Sequence, residues 1–193
     1  LGIQNQYLES FTRTMIDLGN STDIAAADGA IALAQFANVT NMAQSQFGNF
    51  GSALVDLGNN FSTTESQILD MSTRLASAGS QVGLTQPQIL GFATALSSVG
   101  LEAEGGGTAF SKAMIQMQVA VETGSKALDD FAHVSGMTNK AFSALWKTDP
   151  AGAIQAFIVG LSRMDEEGIS AIATLEDMGL SEVRLRDTLL RAT

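Results

Sequence analysis

The chain has 193 residues, of which 20 are Asp or Glu and 10 are Lys or Arg, giving a net charge of −10 at pH 7. A chain of this length can bury roughly 70% of its unfolded surface, so it can form one domain or two small ones. A surface this acidic repels a nucleic-acid backbone, and we expect no specific nucleic-acid binding. The sequence has no cysteine, which excludes disulfides, thiolate nucleophiles and zinc–thiolate sites.

The sequence lacks the patterns of a membrane span and of a secretion signal. It is 45% hydrophobic, but no uninterrupted apolar run reaches about 18 residues, the minimum for a spanning helix. No basic segment followed by an apolar segment and a cleavage site stands at its start. Because it begins at Leu1 rather than a methionine and stops at Thr193 without a tail, we expect a fragment of a longer chain.

Amphipathic patterns typical of helices follow one another along the chain, with apolar residues at spacings of three and four. We predict helices near residues 4–18, 22–39, 43–57, 62–78 and 85–99, and a sixth after a glycine-rich loop. Shorter helices are predicted near residues 125–134, 138–146, 150–164, 169–177 and 181–191. The residues predicted to face the core on the first five helices are Leu8, Phe11, Met15, Leu18, Ile24, Ile31, Leu33, Phe36, Phe47, Phe50, Leu54, Leu57, Ile68, Met71, Leu75, Ile89, Phe92, Leu96 and Val99.

Several junctions between predicted helices share a short pattern of one residue that ends a helix followed by residues that start the next. Gly83 suits the left-handed residue that ends a helix, and Leu84 can pack back on the next helix as a hydrophobic staple. Thr85 is a good N-cap, and Pro87 falls in the first turn, where its missing N–H costs little. Asn41 takes the place of the helix-ending glycine at another junction, and residues 136–138 and 179–181 repeat the pattern of glycine, apolar residue and cap. Residues 62–65 have the spacing of a capping box, and Asp149-Pro150 is a typical helix start.

The first two thirds of the chain contain an internal repeat. The pattern of Phe11–Gly19 recurs at Phe50–Gly58 and at Phe92–Gly100, displaced by 39 and then 42 residues. A repeat of about 40 residues with two helices is the size of helical-hairpin arrays, although any amphipathic helix that ends in glycine has a similar pattern.

We therefore predict an all-α fold, a compact array of antiparallel helical hairpins with about 10–11 helices and no sheet, since β-branched residues are dispersed and alternation is short. Residues 1–123 form the predicted helical-hairpin repeat region, with repeats near 1–40, 41–82 and 83–123. Residues 124–193 form a region of shorter helices, which we expect to pack with the first as one domain.

A search for catalytic or metal-binding groups finds only weak candidates. His133 is the one histidine, and a position near the end of a helix suits a charged imidazole without any catalytic role. Glu102 and Glu104 flank a run of glycines and could serve acid–base chemistry or bind a hard cation. We favour a flexible acidic loop that leads to an N-cap at Thr108.

Other groups are also interpreted as structural. Met114 and Met117 share a helix face that is either core or, because methionine repacks easily, a surface for different partners. Arg184 and Arg186 are expected to bond nearby carboxylates such as Glu182 or Asp187. We predict no catalytic, cofactor-binding or metal-binding residue, no cofactor, and no enzymatic activity.

Two stretches are distinctive beyond their periodicity. Leu96–Lys112 reads LSSVGLEAEGGGTAFSK, and Trp146–Pro150 reads WKTDP. With residues 55–65, 76–84, 93–95, 157–167 and 182–187, they resemble the conserved core of phage tail tape measure proteins, found in long-tailed phages and prophages. The resemblance covers nearly the whole chain and is weaker before Asp56.

The resemblance implies a structural role. A tape measure protein is a long, largely helical chain that lies inside the growing tail tube, sets tube length and leaves ahead of the DNA. The implied partners are tail tube and tail-tip proteins, tail assembly chaperones and other copies of the protein, with membrane contact possible during ejection. The implied location is the phage tail in the virion, and the host cytoplasm during assembly.

The glycine breaks qualify this expectation. A ruler advances about 1.5 Å per residue of continuous helix, whereas this chain is interrupted about every 20 residues. We expect a globular module that docks to a tube end or another copy, rather than the ruler itself. The alternatives are a helical-repeat adaptor for protein interactions unrelated to phage, and a membrane-active helical module.

Overall fold

A computed structural model describes residues 1–166, 168–180 and 183–191. Over these ranges the chain forms eleven α-helices and no strand, so the predicted all-α fold is confirmed. The helices are α1 (Leu8–Ser21), α2 (Ala26–Thr40), α3 (Phe47–Asn60), α4 (Glu65–Gln81), α5 (Gln86–Ser98), α6 (Thr108–Thr123), α7 (Lys126–Val134), α8 (Asn139–Thr148), α9 (Pro150–Glu166), α10 (Ala171–Asp177) and α11 (Val183–Arg191).

The helix α4 lies at the centre of the first two thirds of the chain, in contact with α2, α3, α5 and α6. Ile68, Met71 and Leu75 on its inner face are fully buried, as the sequence predicts. Close approach to α5 depends on Gly79, because a Cβ added there would lie 2.8 Å from Cγ1 of Ile89. The small residue therefore lets the two backbones approach, as helix packing requires.

Aromatic pairs join neighbouring helices throughout the core. The rings of Phe11 and Phe47, on α1 and α3, have centroids 4.8 Å apart in an edge-to-face arrangement, which favours the ring quadrupoles. On the later helices, Phe131 of α7 and Phe157 of α9 have centroids 5.3 Å apart. The buried core therefore continues from the first helices into α7 and α9.

The predicted helix ends are largely confirmed. Gly83 has φ +86° and Asn41 has φ +53°, both in the left-handed region. The side chain of Thr85 accepts a hydrogen bond from the backbone N–H of Gln88, whose side chain accepts from Thr85 in return. The structure also shows the predicted helix ends at Gly100, Gly136 and Gly179, which have positive φ. The predicted helix starts at Thr138 and Asp149 are confirmed by side-chain caps. Ser181, the last predicted cap, lies outside the described residues.

One predicted cap is displaced by two residues. The box expected over residues 62–65 is formed by Thr64 and Gln67 instead. The sequence STTESQ contains two overlapping spacings, and glutamine closes a capping box as well as glutamate does. Because α3 continues to Asn60 rather than ending near residue 57 as predicted, the connection to α4 is also shorter than the sequence indicates.

Three residues predicted to face the core are exposed, namely Leu8, Ile31 and Val99. Val99 is the residue that follows α5, where the helical spacing no longer applies. Leu8 and Ile31 do follow the helical spacing, but in the described part of the chain they lie on sides of α1 and α2 that stay open to solvent. The helix α9, predicted to end near residue 164, extends to Glu166, and Glu167 lies outside the described residues.

Candidate interaction surfaces

The glycine-rich stretch before α6 is helical, so the prediction of a flexible loop here is wrong. Ala103–Gly107 forms a π-helical turn, in which the N–H of Gly107 donates to the carbonyl oxygen of Glu102 at 3.4 Å and the N–H of Gly106 donates to the same oxygen at 2.8 Å. Thr108 has helical backbone angles and continues this turn into α6, so it is not an N-cap. A glycine-rich sequence is therefore compatible with a helical start when packing holds it.

Packing against α4 explains these glycines. A Cβ on Gly107 would lie 2.8 Å from Cγ of Arg74 and 2.9 Å from Sδ of Met71. Gly106 is likewise pressed against Leu101, whose Cβ would lie 2.9 Å from an added Cβ. The missing side chains therefore serve close approach, and the turn is a fixed part of the fold.

The acidic residues of this turn form no recognisable site. Glu102 and Glu104 are exposed at its start, and His133 is exposed in the last turn of α7. Within the part of the chain that the structure describes, no group of three or more His, Cys, Asp or Glu side chains could hold a metal ion.

The methionine face of α6 belongs to the core. Met114 and Met117 are almost completely buried, together with Phe110. The core interpretation of these methionines is therefore confirmed, and the alternative that they offer a partner-binding face is wrong.

Arg186 of α11 pairs with a carboxylate, as expected, although with a different one from the two that the sequence suggests. Arg186 approaches Glu176 of α10 at 3.6 Å rather than Asp187, because the side of α11 that carries Arg186 faces α10. Arg191 lies 3.6 Å from Asp187 and donates to the carbonyl oxygen of Gly100 at 3.3 Å. The side chains of Arg184 and Glu182 lie outside the described residues.

A polar hollow of about 670 Å³ lies between α2, α4 and the π-helical turn. Asp28, Asp70, Arg74 and Glu104 line it. Partial burial raises the pKa of the Asp70 carboxyl, and the negative charge of Asp23 raises it further. The hollow is therefore hydrophilic, and the negative charges at one edge of it repel each other.

An apolar groove of about 520 Å³ opens between α5 and α9. Phe92 and Ala95 form one wall, and Val159, which is 62% exposed, forms the other. Gln88 and Gln155 also line it, and none of its lining residues is charged. Sequence reasoning missed this groove, although α5 and the first 13 residues of α9 carry no charge, a signal that could have indicated it.

A second apolar surface runs along α1. Leu8, Thr12 and Ile16 are exposed and lie one turn apart, so they form a stripe on one side of the helix. The charged residues Glu9 and Arg13 lie directly beside it and approach each other at 3.6 Å. We refer to Leu8, Thr12 and Ile16 as the α1 stripe.

The described helices and the two apolar surfaces show neither a membrane span nor a catalytic arrangement. None of the described helices is both long enough and apolar enough to cross a membrane. The groove and the α1 stripe are surface features, and neither contains a constellation of nucleophile and base of the kind that catalysis requires.

Comparison with known proteins identifies the family. The comparisons with curated proteins and with solved structures gave no match. The sequence matches the family described as phage-related minor tail protein over residues 1–178. The match spans α1 to the end of α10, including the α1 stripe, the groove and the π-helical turn. The chain therefore belongs to the phage-related minor tail protein family.

Proposed function

We propose that this chain is a folded module of a phage tail tape measure protein that takes part in tail assembly and tail-length determination, and in genome ejection. Membership of the minor tail protein family supports a structural role in the tail. The stretches Leu96–Lys112 and Trp146–Pro150, which resemble tape measure proteins, support the narrower assignment.

The lengths of the helices support a docking module rather than the ruler segment. The longest helices among the described residues, α4 and α9, each have 17 residues, which corresponds to roughly 25 Å of continuous helix. Residues with positive φ, such as Asn41 and Gly83, end helices and reverse the chain. A chain folded in this way contributes far less length than an extended helix, so its function is to bind at a defined place. Tail tube, tail-tip and assembly chaperone proteins are the proposed partners.

We also propose that residues 1–123 are three helical-hairpin repeats. Side-chain hydrogen bonds that join residues 40 to 46 positions apart support this organisation. Gln44 accepts from the N–H of Gln4 at 2.9 Å and donates to the carbonyl oxygen of Gly2 at 3.0 Å. One repeat further along, Gln86 donates to the carbonyl oxygen of Thr40 at 2.9 Å. The first two bonds hold the start of the second repeat against the start of the first, and the third holds the start of the third repeat against the end of the first.

Deletion of residues 1–193 from the gene that encodes them tests the proposal. The matched control deletes the same number of residues from a continuous helical segment of the same protein, which shortens a ruler by roughly 290 Å. We expect the control to give shorter tails and the deletion of the module to prevent assembly or infection, as measured by electron microscopy and plaque counts. If both deletions gave infectious phage with tails shortened by the same amount, the docking role would be wrong.

A further inference from the structure

The helix α11 covers a surface formed by residues that match the family, but α11 itself lies outside the matched residues. The match ends at residue 178, and α11 begins at Val183. It packs against α6, the π-helical turn, α9 and α10. The structure therefore shows both a surface that binds a helix and the helix that occupies it.

Buried side chains in the second half of α11 anchor it to that surface. Thr188 and Leu189 are each 1% exposed, and Leu190 is partly buried against the same core. The helix has nine residues, and an isolated helix of that length is marginal in water, so α11 is helical because it is docked. Loss of the contact made by Leu189 should therefore release α11 as a whole.

The polar contacts of α11 are long and partly open to water. Arg186 lies 3.6 Å from Glu176 of α10. Arg191 lies 3.6 Å from Asp187 within α11 and donates at 3.3 Å to the carbonyl oxygen of Gly100. Gly100 follows α5, so Arg191 brings a positive charge to a helix C-terminus, where it is favourable. Because exposed pairs of this kind contribute little to stability, they orient α11 more than they hold it.

The connection between α10 and α11 allows α11 to open without disturbing α10. Gly179, after α10, has φ +76°. The N–H of Leu180 donates to the carbonyl oxygen of Leu175 at 2.8 Å, and the side chain of Leu180 is buried. The chain is therefore fixed as far as Leu180, and α11 follows that fixed point. Elements at the end of a fold often open locally at a lower free energy than the whole.

The seam between α11 and the π-helical turn is incompletely filled. A hollow of about 380 Å³ lies there, and its lining includes Glu102 and Glu104 of the turn region and Asp187 and Arg191 of α11. Arg191 is paired with Asp187, and neither glutamate makes an ion pair within the part of the chain that the structure describes. The hollow therefore carries uncompensated negative charge, which favours a basic residue in the position that Asp187 occupies.

We propose that α11 is a strap that opens separately from the rest of the fold, and that the seam it covers is a docking site for an amphipathic helix of a partner protein. That helix repeats the pattern of Thr188, Leu189 and Leu190 and carries Lys or Arg in the position of Asp187. The α11 of a second copy would bring the same aspartate, so it has no advantage over the helix already docked. The inference rests on the docking role proposed above, and it adds the surface, its cover and the chemistry of the partner.

A fluorescent peptide that reproduces residues 183–193, with Asp187→Lys and a side-chain crosslink to keep it helical, is the probe. Its binding to the whole 193-residue chain is measured by fluorescence anisotropy. We expect weak binding to the unaltered chain, because α11 occupies the seam and only the open fraction of molecules can bind. Leu189→Glu in the protein would bury a carboxylate without a partner, which releases α11. This change should tighten binding of the peptide at least about tenfold.

Ile172→Glu in the protein is the matched control, because Ile172 is an exposed aliphatic residue of the neighbouring helix α10 and its change leaves α11 docked. Binding that tightens with Leu189→Glu and not with Ile172→Glu supports the proposal. Equal binding to all three chains, equal gains with both changes, or no binding to any chain would overturn it. Equal binding of a peptide that keeps Asp187 would also overturn it, because charge would then play no part in docking.

Hydrogen exchange of the unaltered chain tests the opening without any substitution, and so covers the case in which the Leu189→Glu chain does not fold. After correction for intrinsic rates, we expect the amides of Leu189 and Leu190 to exchange at least about tenfold faster than those of Met71 and Ser72 in the central helix α4. Exchange at one common rate would show that α11 opens only with the whole fold, and would overturn the proposal. None of these measurements depends on tail assembly, so a negative result here leaves the deletion experiment on the proposed function unaffected.

Discussion

The carboxylate of Asp23 accepts two hydrogen bonds from Ser66, one from its backbone N–H at 3.0 Å and one from its hydroxyl at 2.5 Å. Asp23 lies between α1 and α2, whereas Ser66 lies in the first turn of α4. Thr64 already caps the same helix, so the start of the central helix is held both by its own sequence and by a residue 43 positions away. A carboxylate at a helix N-terminus also interacts favourably with the helix dipole.

This contact sets the protonation of Asp23. Partial burial acts to raise its pKa, but the hydrogen bonds from the hydroxyls of Ser66 and Thr64 and from the N–H of Ser66 outweigh that effect and lower the pKa below its ordinary value. A carboxyl whose pKa is lower in the folded chain stabilises the fold above its unfolded pKa, and the contribution is lost as pH falls through the folded value.

We therefore expect Asp23→Ala to lower the free energy of unfolding by about 1 kcal/mol at pH 7. The difference from the unaltered chain should persist down to about pH 5 and then shrink as the pH falls through and below 3.8, the ordinary value for this carboxyl. Urea unfolding at a series of pH values measures it. Asp177→Ala, at the exposed end of α10, is the control and should stay within about 0.5 kcal/mol throughout. A loss for Asp23→Ala that is the same at pH 7 and pH 3 would contradict the role of its charge.

Asp70 should show the opposite behaviour. Its pKa is raised by burial and by Asp23, so its ionised form destabilises the folded chain at neutral pH. Asp70→Asn should increase the free energy of unfolding by roughly a few tenths of a kcal/mol at pH 7, since the group is largely exposed and well screened. The gain should disappear below about pH 4, where the aspartate is protonated in both states.

Coupling between the two carboxylates gives a check on that explanation. Part of the effect of Asp70 comes from Asp23, so the gain from Asp70→Asn should be smaller in a chain that already carries Asp23→Ala. An equal gain in both backgrounds would mean that the charge of Asp23 does not reach Asp70.

Two glycines inside helices should respond in opposite ways to the same substitution. A Cβ on Gly160 of α9 would overlap the carbonyl oxygen of Val134 at the end of α7, and a backbone atom cannot move aside as a side chain can. Gly160→Ala should therefore lower the free energy of unfolding by about 2–3 kcal/mol. Gly91 of α5 has no atom within 4 Å of such a Cβ, so Gly91→Ala should raise stability by roughly 0.5–1 kcal/mol through helix propensity.

Urea unfolding followed by circular dichroism measures both variants under the same conditions. If Gly160→Ala were as stable as Gly91→Ala, the close contact between α7 and α9 would not exist in solution. If Gly91→Ala were strongly destabilising, the open wall of the groove between α5 and α9 would be closed in solution.

The features that were predictable from the sequence are those decided within a few residues. A residue at the end of a helix adopts positive φ because of its own backbone sterics, so Gly83 and Asn41 could be placed from local pattern alone. The all-α fold follows from the same signals repeated along the chain. Displacement of the capping box to Thr64 shows the limit, since two local patterns overlap and the local sequence alone does not decide between them.

The features that were missed depend on distant neighbours. Helical spacing places Leu8 on an apolar side, but only the arrangement of the other helices decides that nothing covers it. The role of Gly107 could not be read from a glycine run, because it depends on Met71 and Arg74 of α4, more than 30 residues earlier. The contact of Asp23 with Ser66 has the same origin. The candidate interaction surfaces therefore required the structure, whereas most helix positions did not.

The single tryptophan of the chain forms a hydrogen bond between α8 and α6, and the contribution of this bond to stability can be measured. The indole N–H of Trp146 donates to Oε1 of Gln118 at 2.6 Å, and the indole is almost completely buried. Gln118→Met should preserve much of the side-chain volume but leave the N–H without its acceptor, which costs about 1–3 kcal/mol. Gln116→Met, two residues earlier on the exposed side of α6, is the control and should change stability by less than about 0.5 kcal/mol.

Unfolding followed in parallel by circular dichroism and by tryptophan fluorescence distinguishes the possible outcomes, because the fluorescence comes from Trp146 alone. We expect Gln118→Met to shift both transitions together to lower urea, since coincident transitions indicate that the helices unfold as a unit. A shift seen only by fluorescence would mean that the bond holds α8 locally against α6 and contributes nothing to the rest of the fold. Equal stability of the Gln118→Met and Gln116→Met variants would show that water replaces the lost acceptor. The junction would then be stabilised without the bond, by burial of the indole against Phe142 and its other neighbours.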